Sequence, residues 1–150
     1  MRIVIAGAGE VGTHLATLLT RDKHDIVLIT EDEQTYNSAC SREDLLKVSG
    51  CPTSISFLKE SGVDQCKLFV AVTPDESRNM TSCMLAKKLG AEITVARVDT
   101  MEYMEEENQQ FFRDKGISSL IYPELLVANE IHPLITRPWA RHWWEMQCGK

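Results

Sequence analysis

Three glycines near the N-terminus have the spacing of a phosphate-binding turn. The segment reads Gly7-Ala8-Gly9-Glu10-Val11-Gly12, a G-x-G-x-x-G pattern. In this pattern the first glycine permits a tight turn, the second lets the backbone approach a pyrophosphate, and the third lets the next helix pack on a sheet. The N–H groups and dipole at the start of that helix favour an anion. We therefore expect phosphates to bind at residues 7–12.

A carboxylate at the end of the second predicted strand could hold a ribose. Dinucleotide sites place an acid about 20 residues beyond the glycines. Glu31 is the nearest acid here, and Thr30 before it adds a hydroxyl. No arginine occurs between Thr30 and Ser41 to receive a 2′-phosphate, which disfavours NADP and leaves NAD and adenine mononucleotides open. The alternative is that residues 31–33 are ordinary acidic residues at a helix start.

The repeating pattern around this turn alternates short apolar runs with helical segments. Strands are predicted over 3–5, 26–29, 45–48, 68–72, 93–98 and 120–122. Helices are predicted around 11–19, 32–40, 53–60, 73–89, 103–111 and 124–135, the fourth with Thr73 as its cap and Pro74 as its first residue. Such alternation predicts an α/β fold with a doubly wound parallel sheet, Rossmann-like, in one domain with a C-terminal helix.

Composition excludes several classes of protein. The chain has 150 residues, of which 43% are hydrophobic and 25% charged, so an extended disordered chain is excluded. Its net charge of −6 disfavours nucleic-acid binding, and no apolar run is long enough to cross a membrane. The five cysteines and four histidines are dispersed, which predicts no metal site and reduced thiols. From Met1 the sequence enters the first strand directly, so we expect an intracellular protein without a secretory signal.

Further motifs, in order along the chain, resemble one family. After the glycine turn come Val70-Ala71-Val72-Thr73 with Asn79-Met80, then Ala96-Arg97-Val98, then Pro123-Glu124-Leu125. This set resembles the TrkA N-terminal domain family, also called RCK or KTN, from Met1 to about Arg137. The resemblance implies a nucleotide-binding domain over 1–136 that includes a crossover helix, with 137–150 as a tail or the start of a missing region.

The resemblance also implies a function. Family members are regulatory subunits, not enzymes, that bind NAD(H), ATP or ADP and gate a Trk-type potassium channel or transporter from the cytoplasmic side of the membrane. They form dimers and rings, here expected through the crossover helix. Carried over by position, the implied nucleotide-binding residues are Gly7, Ala8, Gly9, Glu10, Val11, Gly12, Thr30, Glu31, Cys51, Thr73, Asn79 and Arg97. Arg97, at the end of a strand, is expected to reach the phosphates, and the alternative is a surface or interface ion pair.

Some positions depart from the family pattern and keep other hypotheses open. Thr30 stands where the family has aspartate, and Cys51 replaces the acid near the adenine. After Thr73 the family continues with an acid pair before asparagine, whereas here Glu76 is followed by Ser77 and Arg78. One alternative is the cofactor domain of an NAD-dependent oxidoreductase, and another is an assembly module without a ligand. Three tryptophans within 139–144 indicate an apolar surface at a protein interface, or at the junction to a missing domain, rather than single-stranded nucleic-acid binding.

Overall fold

Six parallel strands form a single sheet in the computed structural model, which describes residues 1–31 and 45–123. The strands are β1 Arg2–Ala6, β2 Asp25–Thr30, β3 Leu45–Ser49, β4 Leu68–Ala71, β5 Ile93–Arg97 and β6 Ser119–Ile121. The helices are α1 Glu10–Arg21, α2 Ile55–Glu60, α3 Glu76–Leu89 and α4 Glu106–Asp114, with short 3₁₀ turns at Val63–Gln65 and Met101–Met104. The helices predicted at 32–40 and 124–135, and the tail at 137–150, lie outside the described residues.

The strand order creates a crevice between β1 and β4. The sheet runs β3-β2-β1-β4-β5-β6. From β1 the chain adds β2 and β3 on one side, and then it returns to add β4, β5 and β6 on the other side of β1. Ala6, at the end of β1, is level with Ile29 of β2 and Ala71 of β4. In open sheets of this order, ligands bind beyond the carboxyl ends of the strands where the direction reverses.

The core explains why the strands are continuous apolar runs. Ile3, Val4 and Ile5 are all fully buried, although neighbouring residues of a strand point to opposite faces. Residues 3 and 5 belong to one apolar cluster with α1, and residue 4 belongs to another with α2 and α3. A sheet covered on both faces requires this pattern, and the prediction of a doubly wound α/β fold is confirmed.

The start of α3 differs from the prediction. Asp75, not Thr73, is the cap residue, because its carboxylate accepts hydrogen bonds from the N–H groups of Ser77 and Arg78. Pro74 therefore lies before the helix rather than at its first position. The expected acidic helix over 103–111 is also divided, into the 3₁₀ turn at Met101–Met104 and α4.

Candidate functional site

A cavity of about 310 Å³ opens at the carboxyl ends of β1, β2 and β4. Its lining consists of Gly7, Ala8, Gly9, Ile29, Thr30, Glu31, Pro52, Thr73, Pro74, Asp75 and Arg78. Backbone and glycine form one end, and charged side chains form the other. The cavity therefore lies at the crevice that the strand order predicts for a ligand.

The glycine turn is fixed by two close backbone approaches. Gly7 has φ of +116°, and a Cβ there would lie 2.9 Å from the Thr73 nitrogen. A Cβ on Gly12 would lie 1.7 Å from the Gly7 carbonyl oxygen. Both positions thus require glycine, the first for its backbone conformation and the second for the packing of α1 against the turn.

Gly9 stands in a different environment. A Cβ on Gly9 would meet no atom within 4 Å, and its φ of −77° suits any residue. Space is therefore open above this residue, on the side that faces the cavity. Gly9 is also the cap residue of α1. Because glycine has no side chain, the first N–H groups of the helix receive no hydrogen bond from the cap residue's side chain.

The remaining residues of the glycine segment play other parts. Ala8 lines the cavity, whereas Glu10 and Val11 do not. Glu10 is exposed on the first turn of α1, and Val11 packs against an apolar cluster. Through their position at the helix start, these two can offer an anion only their backbone N–H groups.

An ion pair crosses the other end of the cavity. Glu31, just beyond β2, pairs through Oε2 with Nη1 of Arg78 on the first turn of α3. The side chains are 41% and 37% exposed, so solvent screening limits the pair to at most about 1 kcal/mol. Thr30, buried beside Glu31, also lines the cavity. The two residues predicted to bind the ribose, Thr30 and Glu31, thus both line this end of the cavity.

Sequence reasoning missed Arg78 as a cavity residue. An arginine for a 2′-phosphate is expected in the segment just after β2, whereas Arg78 is 47 positions from Glu31. One local signal was available. Arg78 is the third residue of α3, where the helix dipole disfavours a cation, and such local conflicts concentrate at functional sites.

Asn79 is a structural clamp rather than a cavity residue. It is fully buried. Its Oδ1 accepts from the Thr73 backbone N–H at 2.9 Å and from the Thr73 hydroxyl at 2.6 Å. Its Nδ2 donates to the carbonyls of Thr73 at 2.9 Å and Arg97 at 3.0 Å. The amide therefore ties the loop after β4 to the end of β5, and it leaves Thr73 as the cavity residue of the two.

The side chains of Arg97 and Cys51 are not brought to the cavity. Arg97 Nε lies 3.8 Å from Asp99 Oδ1 and is buried without a hydrogen-bond partner within residues 1–31 and 45–123. Its guanidinium thus turns toward Asp99, and a contact of Arg97 with the phosphates stays a prediction. Cys51 Sγ lies 3.0 Å from Thr53 Oγ1, and the neighbouring Pro52 forms the cavity wall there.

Other reactive groups lie away from the cavity. Burial raises the pKa of the Cys66 thiol to about 12, and it raises the pKa of Cys83 still further. Both groups therefore stay protonated and unreactive at neutral pH. Within the described ranges, no three potential metal ligands cluster. Of the helices that the structure describes, none has the length and apolarity to cross a membrane.

Comparison with known proteins identifies the sequence family. The TrkA-N domain matches residues 3–123. The Trk system potassium uptake protein TrkA homolog of Methanothermobacter thermautotrophicus is 36% identical over 138 residues, which is 92% of this chain and 62% of that protein. The TrkA protein of Haemophilus influenzae is 36% identical over 142 residues, 93% of this chain and 31% of that protein. The chain thus spans less than two thirds of these relatives.

Solved structures have the same fold. The TrkA-N domain of the inner membrane protein ybaL from Escherichia coli has a TM-score of 0.70 at 14% identity, covering 89% of this chain and 96% of that one. The GsuK channel bound to NAD has a TM-score of 0.64 at 20% identity over 81% of this chain and 21% of that one. GsuK bound to ADP has a TM-score of 0.66 at 24% identity, covering 91% and 34%. With the sequence match, these findings show that the chain belongs to the TrkA-N domain family.

Proposed function

We propose that this chain is a nucleotide-sensing regulatory domain of a Trk-type potassium uptake system, with NAD(H), ATP or ADP as its ligand. One observation carries the proposal. In a TrkA-N domain, a cavity at the reversal of the strand order joins an open glycine turn to a carboxylate at the end of β2. This is the arrangement that adenine nucleotides require of such a sheet.

The cavity offers a group for each part of a nucleotide. The phosphates would lie over Gly9, where space is open and the N–H groups of α1 begin. The ribose hydroxyls would donate to Glu31, which Thr30 adjoins in the lining. Pro52 supplies an apolar group against which an adenine could pack. Asn79 would act indirectly, by holding Thr73 in place.

Regulation, rather than a reaction, is the role that these groups support. The lining provides backbone amides, a threonine pair, two carboxylates and a guanidinium, all of which bind and orient. The TrkA relatives are named as potassium uptake proteins. We therefore infer that the domain acts at the cytoplasmic face of the membrane, bound to a potassium transporter subunit. We place its self-association in the crossover segment after Pro123.

A thermal-shift panel tests the proposed ligand class. The purified chain is heated with NADH, NAD, ATP, ADP, AMP or NADPH. A ligand present at 100 times its Kd should stabilise the folded state by about 2.7 kcal/mol, or several degrees. Gly9→Val is the matched control, since a Cβ there meets no atom within 4 Å and the side chain would enter the space proposed for the phosphates. Because valine is a poorer cap residue than glycine, the unliganded midpoint should fall by a few degrees at most, and the ligand-induced shift should be lost.

Two results would contradict this proposal. A wild-type chain that responds to no nucleotide would favour a ligand-free assembly module. If the Gly9→Val chain binds a nucleotide as tightly as wild type, the phosphates do not bind over Gly9. The partner is tested separately, by purifying the tagged full-length protein from its own cells. We expect a potassium transporter subunit to be recovered with it. If no such subunit is recovered from a detergent extract of the membranes, the proposed partner is contradicted.

A further inference from the structure

We propose that Arg78 and Glu31 together make the cavity select an unphosphorylated ribose over a 2′-phosphorylated one, with Arg78 as a masked binding group for the 2′-phosphate. The inference rests on the proposed function, because it concerns the same cavity. The inference gives part of the choice between riboses to Arg78, which lies on α3 and not in the segment that follows β2. The pair itself is the observation that carries it.

The pair lies at the place where sites of this kind distinguish a ribose from a 2′-phosphorylated ribose. Glu31 follows the last residue of β2, and its side chain and that of Arg78 both line the cavity. At this place an acid accepts hydrogen bonds from the 2′- and 3′-hydroxyls, whereas an arginine accommodates a 2′-phosphate. Here the structure holds one group of each kind, paired with each other.

Arg78 is held there by its own helix start. Asp75 accepts a hydrogen bond from the Arg78 backbone N–H at 3.3 Å and another from that of Ser77 at 3.0 Å. Asn79, the next residue, is clamped between Thr73 and Arg97. The backbone beneath Arg78 is therefore fixed on both sides, and only its side chain can exchange partners.

Charge makes the pair selective. Arg78 is the only cationic side chain in the described lining, against two carboxylates, Glu31 and Asp75. A ribose diol can donate to Glu31 while the guanidinium stays paired and orients that carboxylate. A 2′-phosphate instead meets the negative charge of Glu31 and must take Arg78 away from it. A guanidinium released from Glu31 would offer that phosphate a bidentate partner.

Matched ligands and variants test this selection. Titration calorimetry compares NADH with NADPH, and AMP with adenosine 2′,5′-bisphosphate, which differ only by the 2′-phosphate. The chains are wild type, Glu31→Gln, Arg78→Met and the double variant. Because both side chains are partly exposed, each variant should fold, and its unliganded thermal midpoint verifies this.

The expected result is a change in the affinity ratio that depends on Arg78. Wild type should prefer the ligand without the 2′-phosphate by about tenfold or more. Glu31→Gln should move this ratio toward the 2′-phosphorylated ligand by about tenfold or more, and raised salt should weaken that gain. The double variant should lose the gain. Glu31→Gln with Arg78→Lys should keep part of it, since lysine retains the charge without the planar fork.

Other results would overturn the inference. If NADH binds wild type but Glu31→Gln leaves the ratio unchanged, the pair does not select the ribose. If the gain persists in the double variant, another cation holds the 2′-phosphate. If wild type binds no nucleotide, the proposed function fails, and this inference fails with it. Binding of NADH to wild type therefore tests the function, and the ratio tests the selection.

Discussion

The two ends of the cavity are built in different ways. The end proposed for the phosphates is backbone, where Gly7 and Gly12 are fixed by contacts that leave no room for a Cβ. The end proposed for the ribose, called the ribose end below, is a pair of partly exposed side chains, Glu31 and Arg78. The first end is therefore part of the packing of the domain, and the second can change without disturbing it. A nucleotide site can thus keep its general affinity while its choice of ligand varies.

The largest expected effect is at the packed glycine. Gly12→Val places a Cβ 1.7 Å from the Gly7 carbonyl oxygen, so α1 must move away from the turn. We expect a loss of about 3 kcal/mol or more in the free energy of unfolding, measured by urea denaturation. Gly9→Val is the matched control and should lose about 1 kcal/mol or less, because valine is a poorer cap residue than glycine but meets no close atom there. Equal losses would mean that the turn is not divided into a packed and an open side.

Asn79 is expected to have the next largest effect. Asn79→Ala leaves the Thr73 N–H and the Arg97 carbonyl without their partner, and buried unpaired groups cost about 1–3 kcal/mol each. We expect a loss of about 2–4 kcal/mol in the free energy of unfolding. Ser82→Ala, which removes a single side-chain bond to the Arg78 carbonyl, should lose about 1 kcal/mol. If both variants lost the same amount, Asn79 would not be a clamp.

The smallest effect is expected at the ribose end. Arg78→Met removes the ion pair with Glu31, and an exposed pair of this kind contributes at most about 1 kcal/mol. The unfolding free energy should therefore change by at most about 1 kcal/mol. A loss as large as that of Asn79→Ala would make the pair structural, and it would remove the contrast between the two ends.

Sequence reasoning predicted the parts of the fold that depend on contiguous residues. The glycine turn and the buried strands are local patterns, and each was found where it was expected. The cap of α3 was misplaced because Thr73 and Asp75 are both cap-forming residues, and only the network around Asn79 decides between them. Arg78 was missed as a cavity residue because its partner is 47 positions away, and the one local signal was its unfavourable place on the first turn of α3.

The position of a bound nucleotide is the most direct test of this account. Amide chemical shifts of the ¹⁵N-labelled chain are followed during titration with ADP and with NADH. We expect the largest changes at Gly7–Gly9, at Thr30 and Glu31, and around Thr73. A second cavity of about 450 Å³, lined by Glu102, Tyr103, Asn108, Phe111 and Phe112, should stay unchanged. Changes centred on that second cavity, with none at the glycine turn, would contradict the account.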